Sequence, residues 1–416
     1  MTNMNQVPSK GRDDRRLAET DVTPGQRISN RVNSIPPSGI RRFFDLAAEM
    51  KGECLSLSIG EPDFVTPWHI RDAGIFSLEE GYTHYTANQG MINLREEICD
   101  YMERRFNLRY NPLNEVVVTV GGSEAIDDAV RALIDPGDEV LVPEPCFVAY
   151  KANVSLAGGV AVTIPLRQEN HFKLTPEELE AAITERTKLI IIGYPNNPTG
   201  AIMTREDLAK LVPVFERHPQ VTILSDELYA ELTYPPAEPY SLANFPSLYE
   251  RTVIIGGFSK TFAMTGWRIG FALAPEPIAE AINKIHQYVI MSAPTTAQYA
   301  AVEALKNGMG QVLAMREEYD RRRNFIFNRL TEMGIPCFEP LGAFYIFPSI
   351  VDFGLSSGEF CERFLQEEKV AIVPGSAFGE CGEGNVRISY AASFETIKEA
   401  MDRLERFTQR LRQQTT

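Results

Sequence analysis

The chain has 416 residues, of which 44% are hydrophobic and 23% are charged, and its formal net charge at pH 7 is −15. This composition is ordinary for a globular protein, and the length favours two domains. The negative charge argues against a general nucleic-acid surface, and no apolar run approaches the roughly 20 residues that cross a membrane.

The cysteines and histidines exclude two further classes. Six cysteines are scattered without a C-x-x-C pair, and none of the five histidines has H-E-x-x-H spacing. These patterns indicate reduced thiols and no catalytic zinc site. The amino terminus lacks the apolar core of a signal peptide. We therefore expect a cytoplasmic protein without a bound metal.

In chain order, the first segment is polar and charged, and it predicts a flexible tail over residues 1–30. After Pro36, Pro37 and Gly39, the apolar spacing of IRRFFDLAAEM predicts a helix that begins at Ile40. We expect residues 31–60 to pack with a small carboxy-terminal domain, residues 61–300 to form a large domain, and residues 301–416 to form the small one.

The large domain shows short apolar runs separated by helical patterns. Such runs predict an α/β fold with a mostly parallel sheet covered on both faces. The five predicted strands are Val116–Val120, Asp138–Val142, Leu189–Ile192, Val221–Leu224 and Val253–Ile255. The last third predicts a smaller α+β domain, with a long helix over residues 311–333, strands around Pro374-Gly375 and a final helix over residues 394–412.

Ligands bind beyond the carboxyl ends of such strands, so the residues that follow each strand are the candidates for chemistry. Gly122 and Ser123 open a helix after the first strand, and helix amides attract anions. The later strands deliver an aromatic ring, an amide, an acid with a nearby phenol and an amine, which are Phe147, Asn197, Asp226, Tyr229 and Lys260. Each alone has a structural explanation, as a turn, a core residue, a cap or a surface lysine.

Together these groups match pyridoxal 5′-phosphate. A lysine in apolar company has a lowered pKa and forms a Schiff base with the cofactor's aldehyde. A carboxylate keeps the pyridine nitrogen protonated, an aromatic side chain stacks on the ring, and helix amides with Arg268 hold the phosphate. We predict that Lys260 is also the base that moves the substrate's α-proton.

Four motifs, SKTFAMTGWRIG, YPNNPTG, SDELY and GNVRISYA, resemble those of the class I/II aminotransferases of fold type I, from about residue 34 to the end. The amino-terminal segments PPSGIRRFFDLAAEM, IGEPDFVTP and HYTANQG are similar to a bacterial and archaeal branch with aromatic, alanine and aspartate aminotransferases.

The resemblance implies a role for each residue of the site. Lys260 is similar to the catalytic Schiff-base lysine, and Asp226 to the partner of the ring nitrogen. Tyr229 and Asn197 are implied to contact the ring hydroxyl. The phosphate is implied to lie on Gly122, Ser123 and Arg268, and the substrate carboxylate on Arg387, Asn197 and Gly60. Tyr85 resembles a tyrosine that reaches a neighbouring subunit's phosphate, which implies a homodimer with shared sites.

Two positions depart from many relatives. Gly257 lies three residues before Lys260, where a phosphate-binding serine is common, and Ser259 does not occupy that position. Phe147 replaces a tryptophan or tyrosine, which keeps a stacking surface without a polar group. The pocket for the substrate's side chain is expected near Ile40, Tyr85, Phe147 and the Phe344 loop, and Arg41 or Arg42 are candidates to meet a second carboxylate.

The resulting hypothesis is a ping-pong aminotransferase that moves an amino group from an aromatic amino acid, alanine or aspartate to a 2-oxo acid such as 2-oxoglutarate. A C–S β-lyase, which would use the same lysine, aspartate and arginine, is the alternative enzyme. A transcription regulator with this fold needs a DNA-binding domain, for which a tail of about 30 residues is too short.

Overall fold

A computed structural model describes residues 24–37, residue 39 and residues 54–415. Residues 24–36 belong to one unit, and the chain from Pro37 onward forms another. In the first unit, a 3-10 turn (Pro24–Arg27) is followed by a one-turn helix (Asn30–Asn33), whose amino end is capped by the Ser29 side chain. The helix predicted from Ile40 lies outside the described residues.

The second unit is built on a seven-stranded sheet. Its strands are β2 (Val116–Thr119), β3 (Glu139–Glu144), β4 (Val160–Pro165), β5 (Thr187–Gly193), β6 (Thr222–Asp226), β7 (Thr252–Gly257) and β8 (Gly270–Leu273). They lie in the order β2-β8-β7-β6-β5-β3-β4, and β8 alone runs against its two neighbours, β2 and β7. The predicted α/β fold with a mostly parallel sheet is confirmed.

Alternate side chains of the central strands enter different parts of the core. In β5, Leu189 and Ile191 pack in one apolar cluster, and Ile190 and Ile192 pack in another. This is the two-residue period of a strand whose two faces are both buried. The continuous apolar runs in the sequence follow from it.

Thirteen α-helices are described along the chain. They span Asn30–Asn33, Trp68–Glu79, Ile92–Phe106, Gly122–Leu133, Ala149–Ala157, Pro176–Ala182, Arg205–Arg217, Pro246–Tyr249, Glu276–Val289, Thr295–Asn307, Met309–Glu332, Ser357–Glu368 and Phe394–Thr415. The helices Met309–Glu332 and Phe394–Thr415 confirm the two predicted over residues 311–333 and 394–412. Over the described ranges, no helix combines the length and the apolar character that a membrane span requires.

Two smaller sheets complete the fold. β1 (Leu55–Ser56) pairs in parallel with β10 (Val370–Ala371), so the start of the second unit lies against its carboxy-terminal part. β11 (Val373–Pro374), β12 (Val386–Ser389) and β9 (Tyr345–Ile346) form an antiparallel sheet in that order. The strands predicted around Pro374-Gly375 are confirmed, and β12 carries Arg387.

Two strands of the large sheet were not predicted. β4 is an edge strand whose residues are mostly half-exposed, so it lacks the fully apolar signature of its neighbours. β8 has only four residues and returns immediately after the segment that carries Lys260. Lys260 therefore lies in the connection between two paired antiparallel strands, which fixes both ends of that connection.

Candidate active site

A cavity of about 740 Å³ lies at the carboxyl ends of the parallel strands. Ten of the eleven predicted site residues line it, namely Gly60, Gly122, Ser123, Phe147, Asn197, Asp226, Tyr229, Lys260, Arg268 and Arg387. The eleventh, Tyr85, is absent from the lining, and its side chain is 82% exposed. The volume suits a cofactor together with a small substrate.

Lys260 lies three residues beyond β7, and its Nζ donates a 2.6 Å hydrogen bond to the Gly60 carbonyl. Burial lowers the pKa of Lys260 to about 8, the Glu61 carboxylate opposes this shift, and the guanidinium groups of Arg387 and Arg268 add to it. A lysine with this pKa is neutral in about one molecule in ten at pH 7, far more often than an ordinary lysine, and the neutral amine is a nucleophile and a proton acceptor.

Asp226 ends β6 and is buried beneath the cavity. Its Oδ2 accepts a 2.6 Å hydrogen bond from the Tyr150 hydroxyl, and its Oδ1 accepts one of 3.2 Å from the Leu228 amide. Burial raises the pKa of Asp226, whereas these two donors lower it. The hydrogen bonds therefore favour a carboxylate at a position where burial alone would favour the acid.

The loop between β2 and the helix Gly122–Leu133 forms a cradle for an anion. Gly121 has a φ of +85°, and a Cβ at this residue would lie 2.7 Å from a terminal nitrogen of Arg268. Gly122 and Ser123 then present the first amides of the helix. Arg268 is held by the Thr265 carbonyl at 2.9 Å. Helix amides and a guanidinium are together suited to a phosphate.

Arg387 is buried and held by several groups at once. Its two terminal nitrogens donate to the Asn197 side-chain oxygen at 2.9 Å and to the Ser58 carbonyl at 2.6 Å. Its guanidinium carbon lies 4.6 Å from the ring centroid of Tyr345 and 4.8 Å from that of Phe378. Its Nε is buried without a hydrogen-bond partner in the described part of the chain. This planar fork is pre-positioned for a carboxylate.

Sequence reasoning missed two tyrosines of this site. Tyr150 binds Asp226, and Tyr345 shares a 2.7 Å hydrogen bond between its hydroxyl and that of Tyr229. A Cβ at Gly60 would lie 2.6 Å from the Tyr345 hydroxyl, so this contact requires the glycine. Tyr150 lies in the first turn of the helix Ala149–Ala157, three residues after Phe147, and this nearness in sequence was the one available signal.

The remaining predicted positions have different outcomes. Phe147 lines the cavity and meets the Tyr150 ring edge-on, with centroids 5.7 Å apart. Ser259 also lines the cavity, and Gly257 is not among the lining residues. Phe344 is fully buried beside Tyr345 and likewise does not reach the lining. Ile40, Arg41 and Arg42 lie outside the described residues.

The sequence of residues 52–404 matches the family of class I and II aminotransferases. This chain belongs to that family. The predicted resemblance is confirmed, and the chain is an aminotransferase.

Individual relatives cover nearly all of the chain. YugH of Bacillus subtilis, a provisionally named aminotransferase, is 54% identical over 91% of this chain and 98% of its own length. The aspartate aminotransferase of Pyrococcus abyssi is 46% identical over 91% of this chain and 97% of its own length. The solved structure of the aromatic aminotransferase of Pyrococcus horikoshii is 44% identical, with a TM-score of 0.84. The match covers 89% of this chain and 100% of that structure.

Members of this family use pyridoxal 5′-phosphate, as predicted. The aminotransferase cavity fits that cofactor by its donor set, with an amine, a buried carboxylate, an aromatic ring and an anion cradle around one space. The cradle requires glycine at residue 121, because a side chain there would collide with Arg268. The unpaired Nε of Arg387 is a further donor that a ligand could satisfy.

Proposed function

We propose that this aminotransferase moves an amino group from an L-amino acid to a 2-oxo acid such as 2-oxoglutarate in two successive half-reactions. The observation that carries the proposal is the convergence of Lys260, Asp226 and Arg387 on one cavity. One lysine would serve both half-reactions, and one arginine would bind the carboxylates of both substrates. The amino acid and the 2-oxo acid would therefore bind one after the other.

The cofactor is proposed to be held at four points. The Lys260 amine would bond to its aldehyde carbon, and the Asp226 carboxylate would pair with its ring nitrogen. Phe147 would stack on one face of its ring. The phosphate would lie on Gly122, Ser123 and Arg268, and the ring hydroxyl would face Tyr229 and Asn197. When bound, the cofactor supplies an electron-withdrawing ring that stabilises negative charge at the substrate's α-carbon.

The protein's own groups then govern the proton and the substrate's orientation. Arg387 would bind the α-carboxylate as a fork, next to the backbone of Gly60. This contact places the α-carbon near Lys260, whose lowered pKa suits a base that takes and returns the α-proton near neutral pH. The Asp226 carboxylate, kept charged by Tyr150, would hold the proton of the ring nitrogen.

We further propose that donors with a neutral side chain, aromatic or small, are preferred to aspartate. Within the described residues, the basic side chains that line the cavity are Lys260, Arg268 and Arg387, and each has a role already. Glu61 and Ile59 also line it, and a carboxylate there disfavours an acidic substrate. A screen of tyrosine, phenylalanine, alanine and aspartate against 2-oxoglutarate tests this order.

We propose a homodimer in which Tyr85 serves the neighbouring site. Tyr82 stacks on Tyr299 at 5.0 Å, and the Asn88 amide donates to the Met291 carbonyl at 2.7 Å, so the segments around residues 82–88 and 288–299 are neighbours. Exposed apolar side chains gather on these segments and on the helix Trp68–Glu79: Trp68, Ile75, Phe76, Leu78, Tyr82, Tyr85, Tyr288, Val289, Ile290 and Met291. Such a surface is typical of an interface.

The predicted domains and location also remain proposals. For the proposed packing of residues 31–60 with a small domain of residues 301–416, the support is the pairing of Leu55 and Ser56 with β10. Residues 61–300 are proposed to form the cofactor domain. All six cysteines are free, which supports a cytoplasmic location.

A single-turnover experiment tests the proposed reaction. With cofactor-loaded enzyme and amino acid alone, we expect about one 2-oxo acid per active site, and continued turnover only after 2-oxoglutarate is added. A C–S lyase would instead release pyruvate from a cysteine conjugate repeatedly without an acceptor. The Lys260→Ala variant should lose the visible absorbance of the bound cofactor and nearly all turnover, and normal turnover in this variant would contradict the site assignment.

A further inference from the structure

Behind the anion cradle, Glu124, Asp128 and His286 form a mostly buried cluster, and none of the three lines the active-site cavity. Glu124 and Asp128 lie one turn apart on the helix Gly122–Leu133, and His286 lies on the helix Glu276–Val289. Asp128 and His286 are fully buried. The spacing along the chain gives no signal of this cluster, because packing of two helices forms it.

Some of the buried polar atoms in this cluster have no hydrogen-bond partner in the part of the chain that the structure describes. His286 Nδ1 lies 2.8 Å from Glu124 Oε1 and 3.9 Å from Asp128 Oδ2. Both carboxylate oxygens of Asp128 are buried without a hydrogen-bond partner in the described parts of the chain. Buried polar groups are rarely left in this state, because an unpaired one costs roughly 1–3 kcal/mol. A bound ligand would satisfy these two oxygens.

The charge of the cluster indicates what is missing. Two carboxylates share this space with one imidazole, and the basic side chain of Arg131 on the same helix pairs with Asp127. A cation would compensate this negative charge, whereas a further anion would not. Carboxylate oxygens with an imidazole nitrogen are the ligand set of Zn²⁺ and similar ions.

The spacing of the ligand atoms suits such an ion. One nitrogen and two oxygens at about 2.0–2.2 Å from a tetrahedral Zn²⁺ lie roughly 3.4 Å from one another. The distances from His286 Nδ1 of 2.8 Å and 3.9 Å lie on either side of that value, and all three ligand atoms are within 4.8 Å of one another. Shifts of about half an ångström would bring both distances from His286 Nδ1 to that value, and three such ligands leave a fourth position open.

We propose that Glu124, Asp128 and His286 bind one Zn²⁺-like divalent cation with a structural role. The second oxygen of Glu124, Oε2, accepts a hydrogen bond from the Val120 amide at the start of the cradle. A cation on Oε1 would fix the orientation of this carboxylate and so hold the loop that includes Gly121 and Gly122. The site would thus stabilise the cofactor's anion cradle from behind without touching the cofactor.

Metal content tests the proposal on the intact holoenzyme. The protein is produced in medium supplemented with Zn²⁺ and freed of loosely bound metal by gel filtration. Its metal content per chain is then measured by inductively coupled plasma mass spectrometry. We expect about one Zn²⁺ per chain, and a thermal midpoint that falls when a strong chelator removes it. A parallel culture with added Mg²⁺ should give no Mg²⁺ in the protein, because imidazole is a poor ligand for that ion.

Matched variants locate the ion. Asp128→Asn, which keeps the shape of the side chain, should lose most of the zinc, and His286→Gln should do the same. Asp127→Asn, on the same helix and paired with Arg131, should retain it. Zinc retained by Asp128→Asn would overturn the proposal, since the ion would then be bound elsewhere, for example on the cofactor. Wild-type enzyme without a divalent metal would overturn it also, even if the variants fail to fold.

Discussion

The Tyr150 hydroxyl donates a 2.6 Å hydrogen bond to Oδ2 of Asp226, and both side chains are buried. The bond opposes the effect of burial, which raises the pKa of Asp226. Tyr150 also meets the Phe147 ring edge-on, so one tyrosine contacts both the carboxylate and the aromatic ring proposed to bind the cofactor ring. Tyr150 is thus a positioning residue of the site.

We predict that Tyr150→Phe lowers kcat about tenfold with little change in KM, because a hydrogen bond to a charged group is worth roughly 1.5 kcal/mol. Without this donor the pKa of Asp226 rises further, so Asp226 more readily takes up a proton itself and then no longer keeps the ring nitrogen protonated. Single-turnover stopped-flow with amino acid measures the effect.

The control for this variant is Tyr194→Phe. The Tyr194 hydroxyl donates to the Phe172 carbonyl at 2.9 Å and is not part of the active-site lining. This change should leave kcat unaltered. Equal effects of the two variants would show that the loss in Tyr150→Phe is one of packing alone.

A second prediction concerns Arg387→Lys. Lysine keeps the charge but loses the planar fork, the contacts with the Tyr345 and Phe378 rings, and one of the bonds to Asn197 or Ser58. We expect kcat/KM to fall at least ~100-fold, consistent with roughly 2–5 kcal/mol for a disrupted buried charge contact. Amino acids and 2-oxo acids should be affected alike, and cofactor absorbance should persist. A loss confined to one substrate class would contradict a shared carboxylate site.

The sequence predicted the part of the site that follows the ends of the central strands. A parallel sheet brings those ends to one edge, so Asp226 after one strand and Lys260 after another were expected to meet, and both line the cavity. Arg387 was placed by resemblance and not by the strand pattern. It arrives from β12 of a separate three-stranded sheet, and no local periodicity relates that strand to the cavity.

What the sequence could not predict depends on contacts between distant segments. The Tyr345 hydroxyl reaches Tyr229 from a two-residue strand, too short to show a period. The cluster around His286 forms through packing of two helices, and His286 and its partner Glu124 are 162 residues apart in the chain. Edge strand β4 was missed because its side chains are mostly half-exposed, and apolar continuity was the signal for the strands that were found.

A third prediction follows from the lowered pKa of Lys260. The folded apoenzyme binds this proton only below about pH 8, whereas the unfolded chain retains it up to the ordinary value of 10.5. The unfolded state therefore binds more protons between these values, and this group's contribution to stability rises with pH across that window. Below pH 8 the buried charge destabilises the fold by an amount on the order of 3 kcal/mol, since one pKa unit is worth about 1.4 kcal/mol.

Lys260→Met removes the charge while keeping a side chain of similar length. We expect the apoenzyme of this variant to be more stable than wild type at pH 7, and the difference to shrink toward pH 10. Denaturant unfolding at fixed protein concentration measures both. Lys210→Met, at an exposed position of the helix Arg205–Arg217, controls for a general effect of replacing lysine. A stability difference that does not vary with pH would contradict the lowered pKa.

The last prediction concerns the segment that carries Gly60. Three residues on, Asp63 accepts hydrogen bonds from Arg322 at 2.9 and 3.0 Å, and the Arg322 guanidinium lies 5.3 Å from the Phe64 ring. Arg322 belongs to the long helix Met309–Glu332 and is buried, so this pair attaches the Gly60 segment to that helix. Asp63→Asn leaves the arginine with one carboxylate partner, Glu318 at 2.9 Å.

We expect Asp63→Asn to lower the free energy of unfolding by roughly 2 kcal/mol, less than a fully buried pair because the Asp63 side chain is 25% exposed. It should also raise KM for amino acids, since Gly60 is proposed to lie beside the α-carboxylate. Asp402→Asn is the matched control, because it breaks the more exposed pair with Arg329 and should cost under about 1 kcal/mol without changing KM. Thermal denaturation and steady-state kinetics measure both effects. If the two variants behave alike, the Asp63–Arg322 contact is an ordinary surface ion pair and does not position the substrate segment.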